Sequence, residues 1–315
     1  MSQRHRIARF VAAACFALGG AAGAAEEWYP SQYGADDTLG AINNLSPEKV
    51  VEAARLVTTG KTYRLGVPTG ADSPAYPPRQ YSMTILQLDD GTGTPMGENQ
   101  TTGNDDLMNL WMGIGSQIDG LGHIGINHVY YNGTHAADFI APTGVTTFSI
   151  DQLPPIVSRG VLLDMAKHMN ADRLEPGTAF NRREIKAAAA AQNVRIEKGD
   201  VVLFHTGWLG LSETDPERFM SGEPGIGIDG ARYLAKLGVV AVGSDTWGVE
   251  VLPSEDPAHQ FPVHQELLPK NGIYILENMD TRELAADGVS EFLFVLGQPR
   301  FVGAVQAVVN PVAIR

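Results

Sequence analysis

Cysteine is almost missing from this sequence: Cys15 is the single one among 315 residues. A disulfide framework and a cysteine-rich metal site are thereby excluded. Long apolar runs are missing too. Past the N-terminus, none reaches the roughly 20 residues a membrane-spanning helix needs. Positive charge is scarce, with 23 Lys and Arg against 36 Asp and Glu and a formal net charge of −13. That balance weighs against nucleic acid and anionic membranes as partners. No G-x-S-x-G stretch occurs, so a nucleophile-elbow serine hydrolase has no support. G-x-G-x-x-G occurs as "GLGHIG" and "GIGIDG". Neither lies between a strand and a helix, as dinucleotide binding requires.

What is present first reads as an export signal, with a buried N-terminal helix as the plain alternative. "MSQRHRIAR" carries Arg4, Arg6 and Arg9, "FVAAACFALGGAA" follows as a short apolar segment, and Ala22-Gly23-Ala24 fits a small-x-small cleavage site. Residues 1–24 are expected to be a signal peptide and residues 25–315 one domain, periplasmic or secreted. Cleavage would remove Cys15 and take the charge from −13 to −16. No membrane association is expected afterwards.

An apolar fraction of 43% permits a large core. Ser46 is expected to cap a helix that starts at Pro47 and closes at Gly60, with Val50, Val51, Ala54 and Val57 as its buried stripe. Asn181 is a candidate cap for "RREIKAAAAAQNV". "LMNLWMGIGSQID" is expected to be a strand, as are "GVLLDM", "GDVVLFHTGW", "VVAVGSDT" and "GIYILENM". "GTGTPMGENQTTGNDD" is a long polar loop that could cover something. Strands outnumber helices without regular alternation, which predicts a mixed α/β (α+β) single domain with an extensive sheet or barrel core.

The chemistry concentrates in "GSQIDGLGHIG", residues 115–125. On an extended chain Gly113, Gly115, Gln117 and Asp119 share one face, and the two glycines leave room before the carboxylate. Gly-Leu-Gly then lets His123 bend back towards Asp119. The pair fits a metal or acid–base site, and equally a turn in which Asp119 caps amides and His123 packs. "FPVHQELLPKNGIYILENMD" offers His264 and Glu277. A Glu after "IYIL" either needs a metal or cation partner or faces water at the strand end. "VGSDTWGVEVLP" places Asp245, Trp247 and Glu250 in a loop, where a capping Asp and an exposed Glu are the plain alternative. His128 and His135 are near enough to line the same pocket, whereas His205 reads as a satisfied core histidine.

With these residues in view, the sequence resembles the family described as putative cyclases, known for bacterial kynurenine formamidases with isatin hydrolases as relatives. The family's marker is H-x-G-T-H-x-D-x-P-x-H, and "GIGSQIDGLGH" aligns with it. Asp119 and His123 match, while Gly113, Gln117 and Leu121 replace its first two His and its Pro. "YGADDTLGAINNLSPEKVVEAARLV", "PGIGIDGARYL" and "FPVHQELLPKNGIYILENMDTREL" extend the likeness over most of residues 28–313. The chain looks like the family's longer subgroup with Gln-x-Asp in place of His-x-Asp.

The resemblance implies a barrel-like β core flanked by helices, a homodimer or homotetramer, and a divalent-metal site that hydrolyses an amide. It implies Asp119 as metal ligand, with His264, Glu277 and Gln117 beside it, and His123 as the acid–base residue. An oxygen-rich set suggests one divalent ion, Mn²⁺ or Zn²⁺. The expected reaction is metal-assisted hydrolysis of an amide or lactone of a small aromatic or cyclic substrate, with Trp111, His128 and Trp247 as candidate substrate contacts. Two alternatives stay open: a periplasmic binding protein on the same fold, and a metal-independent lyase or dehydratase using His123 and Asp119.

Overall fold

The computed structural model describes residues 28–87 and 93–315. The expected signal peptide, with Cys15, lies outside the described residues. No helix among those described is long and apolar enough to cross a membrane.

Eleven strands carry the architecture: β1 (Thr62–Arg64), β2 (Tyr81–Gln87), β3 (Asn104–Leu110), β4 (Gln117–Asp119), β5 (Ile156–Asp164), β6 (Val201–His205), β7 (Ala241–Ser244), β8 (Tyr274–Glu277), β9 (Glu291–Leu296), β10 (Gln306–Val308) and β11 (Val312–Ile314). Nine of them form one curled mixed sheet in the order β1-β11-β9-β5-β6-β7-β8-β4-β10, flanked by helices. The expected mixed α/β domain with a barrel-like core is what is found. Strands β5 to β8 pair in parallel. They read as near-continuous apolar runs because helices and loops cover both faces. Val201, Val202, Leu203, Phe204, Ala241, Val242, Ile275 and Leu276 are fully buried.

Local signals in the sequence set the helix starts. Ser46 accepts the Lys49 amide and Pro47 opens the helix Pro47–Ala54. Before the helix Arg182–Ala191, the Glu184 carboxylate accepts the Asn181 amide at 3.0 Å. Two expectations need correction. The first helix ends at Ala54, and its buried face is centred on Ala53, while Val51 and Val57 are exposed. "LMNLWMGIGSQID" is not one strand. Gly115 has φ +72°, and a Cβ there would lie 2.1 Å from Thr69 Oγ1, so the chain turns between β3 and β4.

β2 and β3 form a separate ribbon, register Tyr81↔Leu110 through Gln87↔Asn104. Apart from Tyr81 and Leu110 its residues are exposed, including Met83, Ile85, Leu86, Leu107 and Met108. Of the expected polar loop, residues 104–106 belong to β3, and residues 93–103 are mostly exposed, closed by a bridge between Met96 and Thr101.

Candidate active site

Strand β4 supplies the site because its two faces differ. Ile118 points into the core with its neighbours Leu276 and Ala307, all fully buried. Gln117 and Asp119 point the other way, since side chains alternate along a strand. Register sets their companions: Glu277 on β8 stands opposite Gln117, and Gln306 on β10 opposite Asp119. Four polar side chains therefore share one patch of an otherwise apolar sheet. Ser116 and Asn278 pin the start of β4. The Ser116 hydroxyl donates to the Asn278 carbonyl at 2.6 Å, and the Asn278 amide donates to the Gly115 carbonyl at 2.9 Å.

The short helix Pro262–Gln265 brings His264 over this patch. Its Nε2 lies 3.3 Å from Glu277 Oε1 and 3.7 Å from Asp119 Oδ2. One ligand atom from each of Asp119, His264 and Glu277 falls within 4.8 Å of the others, and all three residues are buried. On the far side of the imidazole, Nδ1 meets Glu250 Oε1 at 2.5 Å. Glu250 also accepts the Val263 and His264 amides, each at 3.2 Å. This carboxylate fixes the ring and leaves Nε2 aimed at the centre.

His123 arrives through the turn after β4. Its amide donates to the Gly120 carbonyl at 3.0 Å, and Leu121 is buried below. Gln306 then ties it to Asp119. The Gln306 amide nitrogen donates to Asp119 Oδ1 at 2.7 Å and stands 3.4 Å from His123 Nε2. Gln117 Nε2 donates to the same Asp119 oxygen at 3.1 Å. The carboxylate dictates the orientation of the Gln306 amide, because its NH2, not its oxygen, must face the negative charge. The second hydrogen of that NH2 is then available to His123 Nε2, which favours the tautomer with a lone pair there.

Electrostatics exposes a shortage of positive charge. Burial, then the charge of Asp119, pushes the Glu277 carboxyl up to about 7. Burial also raises Glu223 well above the usual carboxylate range, and the Glu277 charge adds to it. Glu223 accepts the Trp247 and Gly248 amides at 2.7 and 3.1 Å, yet its Oε1 has no partner among the described residues. Burial would lower the His264 pKa, but the hydrogen bonds and charges of Glu250 and Glu277 outweigh it and raise the pKa well above normal. Burial lowers His123, against the charge of Asp119. Asp119 Oδ2 and Gln117 Oε1 are buried and unpartnered among the described residues. Unpaired buried oxygens are costly, and a cation between them would satisfy both. The donor set of two carboxylates, one imidazole nitrogen and an amide oxygen suits a divalent metal.

The structure brings together Asp119, Gln117, His264, Glu277 and His123. It places the other expected residues further out. Trp111 and His128 are exposed, and His128 sits on a surface turn with its ring 6.3 Å from His135. Trp247 packs against the cluster of Trp208 and Phe219, with the Tyr76 ring 5.9 Å away. Asp245 accepts the Thr206 and Gly207 amides, and His205 contacts Thr281 at 2.7 Å, so both are held as structural groups. Glu223, Gln306 and Arg79 belong to the site or its surroundings and were not singled out by the sequence. Glu250 was named there in a candidate loop, with an exposed acid as the plain alternative, and it is buried.

The family model described as Putative cyclase matches residues 63–251. A crystal structure described as a novel cyclase is 29% identical, with a TM-score of 0.82, over 90% of this chain and 96% of that one. An isatin hydrolase bound to the product analogue thioisatinate is 18% identical, with a TM-score of 0.61, over 85% of this chain and 98% of that one. Isatin hydrolase A from Ralstonia solanacearum is 15% identical, with a TM-score of 0.61, over 86% of this chain and 98% of that one. The two hydrolases share the fold. No curated protein matches the sequence.

Proposed function

Since this chain belongs to the Putative cyclase family, we propose that it is a metal-dependent hydrolase opening an amide, cyclic amide or lactone of a small aromatic or cyclic substrate. The observation carrying this reading is the buried Asp119, His264 and Glu277 cluster, with Asp119 Oδ2 and Gln117 Oε1 left unpaired. Those residues would hold one divalent ion, Mn²⁺ or Zn²⁺. When bound, such an ion polarises the substrate carbonyl and lowers the pKa of water.

The chain's own residues supply the rest. His123, kept neutral by burial, takes the proton of the attacking water on Nε2. It returns that proton to the departing nitrogen or oxygen. Gln306 holds the imidazole in the tautomer this requires, and its 3.4 Å contact to Nε2 gives way as the water proton arrives. His264 is unsuited to the task, because Glu250 holds its Nδ1 and its Nε2 would serve as a metal ligand. Proton transfer by a positioned base contributes on the order of a hundred- to ten-thousand-fold in rate. The fold shared with isatin hydrolases supports a cyclic amide such as isatin as a first substrate to try.

The ribbon of β2 and β3 supports assembly as a dimer or tetramer, with Met83, Ile85 and Met108, which share one face, packing against a second copy. The leader-like residues 1–24 support an exported enzyme.

The test is turnover of aryl formamides, isatin and aryl lactones in ¹⁸O-water, before and after dialysis against a chelator. Solvent oxygen should enter the product, activity should vanish on dialysis, and Mn²⁺ or Zn²⁺ should restore it. Turnover that survives complete metal removal, or no turnover of any of the three classes with either metal, would overturn the reading.

A further inference from the structure

Gly113 and Arg79 form a pair that the hydrolytic account leaves unused. A Cβ built on Gly113 would lie 2.4 Å from Arg79 Cζ and 2.5 and 2.8 Å from Nη1 and Nη2. The guanidinium therefore fills the volume that any side chain at 113 would need. Nη1 also donates to the Gly113 carbonyl at 2.5 Å. Only glycine at 113 permits this, and 113 lies four residues before Gln117, on the turn that leads into β4.

Backbone bonds hold the two segments that carry the pair. The Arg79 amide donates to the Tyr76 carbonyl at 3.0 Å, and the Trp111 amide donates to the Gln80 carbonyl at 3.1 Å. Tyr76 rests against Trp247, ring centres 5.9 Å apart. Among the described residues no carboxylate lies within ion-pair distance of Arg79. Its charge still reaches the site: it acts on His123 and Glu277, after burial and the nearer charges of the cluster. One N–H is spent on the Gly113 carbonyl. The remaining donors are enough for a bidentate pair with a carboxylate, the partner a planar guanidinium matches best.

We propose that Arg79 is a specificity-determining residue whose guanidinium, seated in the space left by Gly113 on the turn that leads into β4, receives a carboxylate carried by an aromatic substrate. The word substrate rests on the hydrolase reading above; the binding of an aryl carboxylate does not. A neutral aromatic analogue of the same shape lacks the ion pair. Losing a charge-assisted pair of this kind weakens binding on the order of tenfold.

Calorimetry with benzoate and benzamide as probes tests this on the protein as purified, with its metal content measured alongside. The parent should prefer benzoate. Arg79→Met, which keeps the stem and loses the charge, should bind benzoate at least tenfold more weakly while binding benzamide as before and keeping its metal. Gly113→Ala, which displaces the guanidinium while leaving Arg79 in the chain, should show the same loss. A parent without preference for benzoate, or an Arg79→Met variant that retains that preference, would overturn the proposal. Failure of the hydrolase reading appears elsewhere, as missing metal or missing turnover, so the two failures are told apart.

Discussion

Replacing Glu250 by Gln exchanges one carboxylate oxygen for NH2 and leaves the side-chain volume almost unchanged. In the parent, Glu250 receives the His264 Nδ1 proton at 2.5 Å and the Val263 and His264 amides at 3.2 Å. A hydrogen bond to a charged group contributes about 1.5–3 kcal/mol, and a neutral one about 0.5–1.5 kcal/mol. The Gln variant keeps an acceptor for Nδ1 and the His264 amide, loses the charge assistance, and turns its NH2 on the Val263 amide, which is left without an acceptor. The difference, about 1–1.5 kcal/mol, corresponds to roughly tenfold weaker metal binding at His264 Nε2. Glu250→Ala goes further and orphans three buried donors, each costing about 1–3 kcal/mol. It should lower the melting temperature as well as the metal affinity. Competition with a fluorescent chelator at pH 7.5 reads both affinities, and thermal unfolding followed by circular dichroism reads stability. A Glu250→Gln variant within twofold of the parent affinity would refute the idea that this carboxylate orients the His264 ligand.

His123→Ala should lose turnover by on the order of a hundred- to ten-thousand-fold while keeping its metal content and melting temperature; retained turnover would remove His123 from the mechanism. Burial holds the His123 pKa below the ordinary 6.5, so its ring should be mostly neutral at pH 6.5 in a nitrogen-15 NMR titration of metal-free protein. A ring more than half protonated there contradicts the assigned base. Glu277 is raised to about 7 by burial and then by Asp119, so below that pH a metal must displace its proton. Affinity should weaken roughly tenfold per pH unit below 7, and calorimetry in two buffers at pH 6 should count at least one released proton; a buffer-independent enthalpy would contradict this. Introducing Ile85→Asp and Met108→Asp together should reduce the particle to a monomer by light scattering without changing metal affinity. A parent that is already monomeric would rule out the ribbon as an interface.

Much of the framework was legible because it rests on local rules. Pro47 and Ser46 define a helix start by capping chemistry, and apolar runs such as "VVLF" define parallel strands buried on both faces. Asp119 and His123 stood out because an acid and a histidine were set among four glycines, and the family resemblance added His264 and Glu277. What was missed depends on distant parts of the chain. Gln306 enters the site through strand register with Asp119, 187 positions away. Glu250 looks like any loop acid until the helix Pro262–Gln265 folds its amides against it. Arg79 matters only because Gly113 has no side chain, a steric relation between two separate segments that no periodicity reports. The buried face of the first helix was misplaced because apolar residues surround Ala53, and packing selects among them.

The account depends on a divalent cation seated between Asp119, His264 and Glu277. Anomalous diffraction at the manganese edge, from crystals of the full protein grown with Mn²⁺, tests it most directly. The expected result is one strong peak per chain within bonding distance of Asp119 Oδ2, His264 Nε2 and a Glu277 oxygen, absent in Asp119→Ala. A map with no peak among these three side chains, or with the ion bound elsewhere, would contradict it.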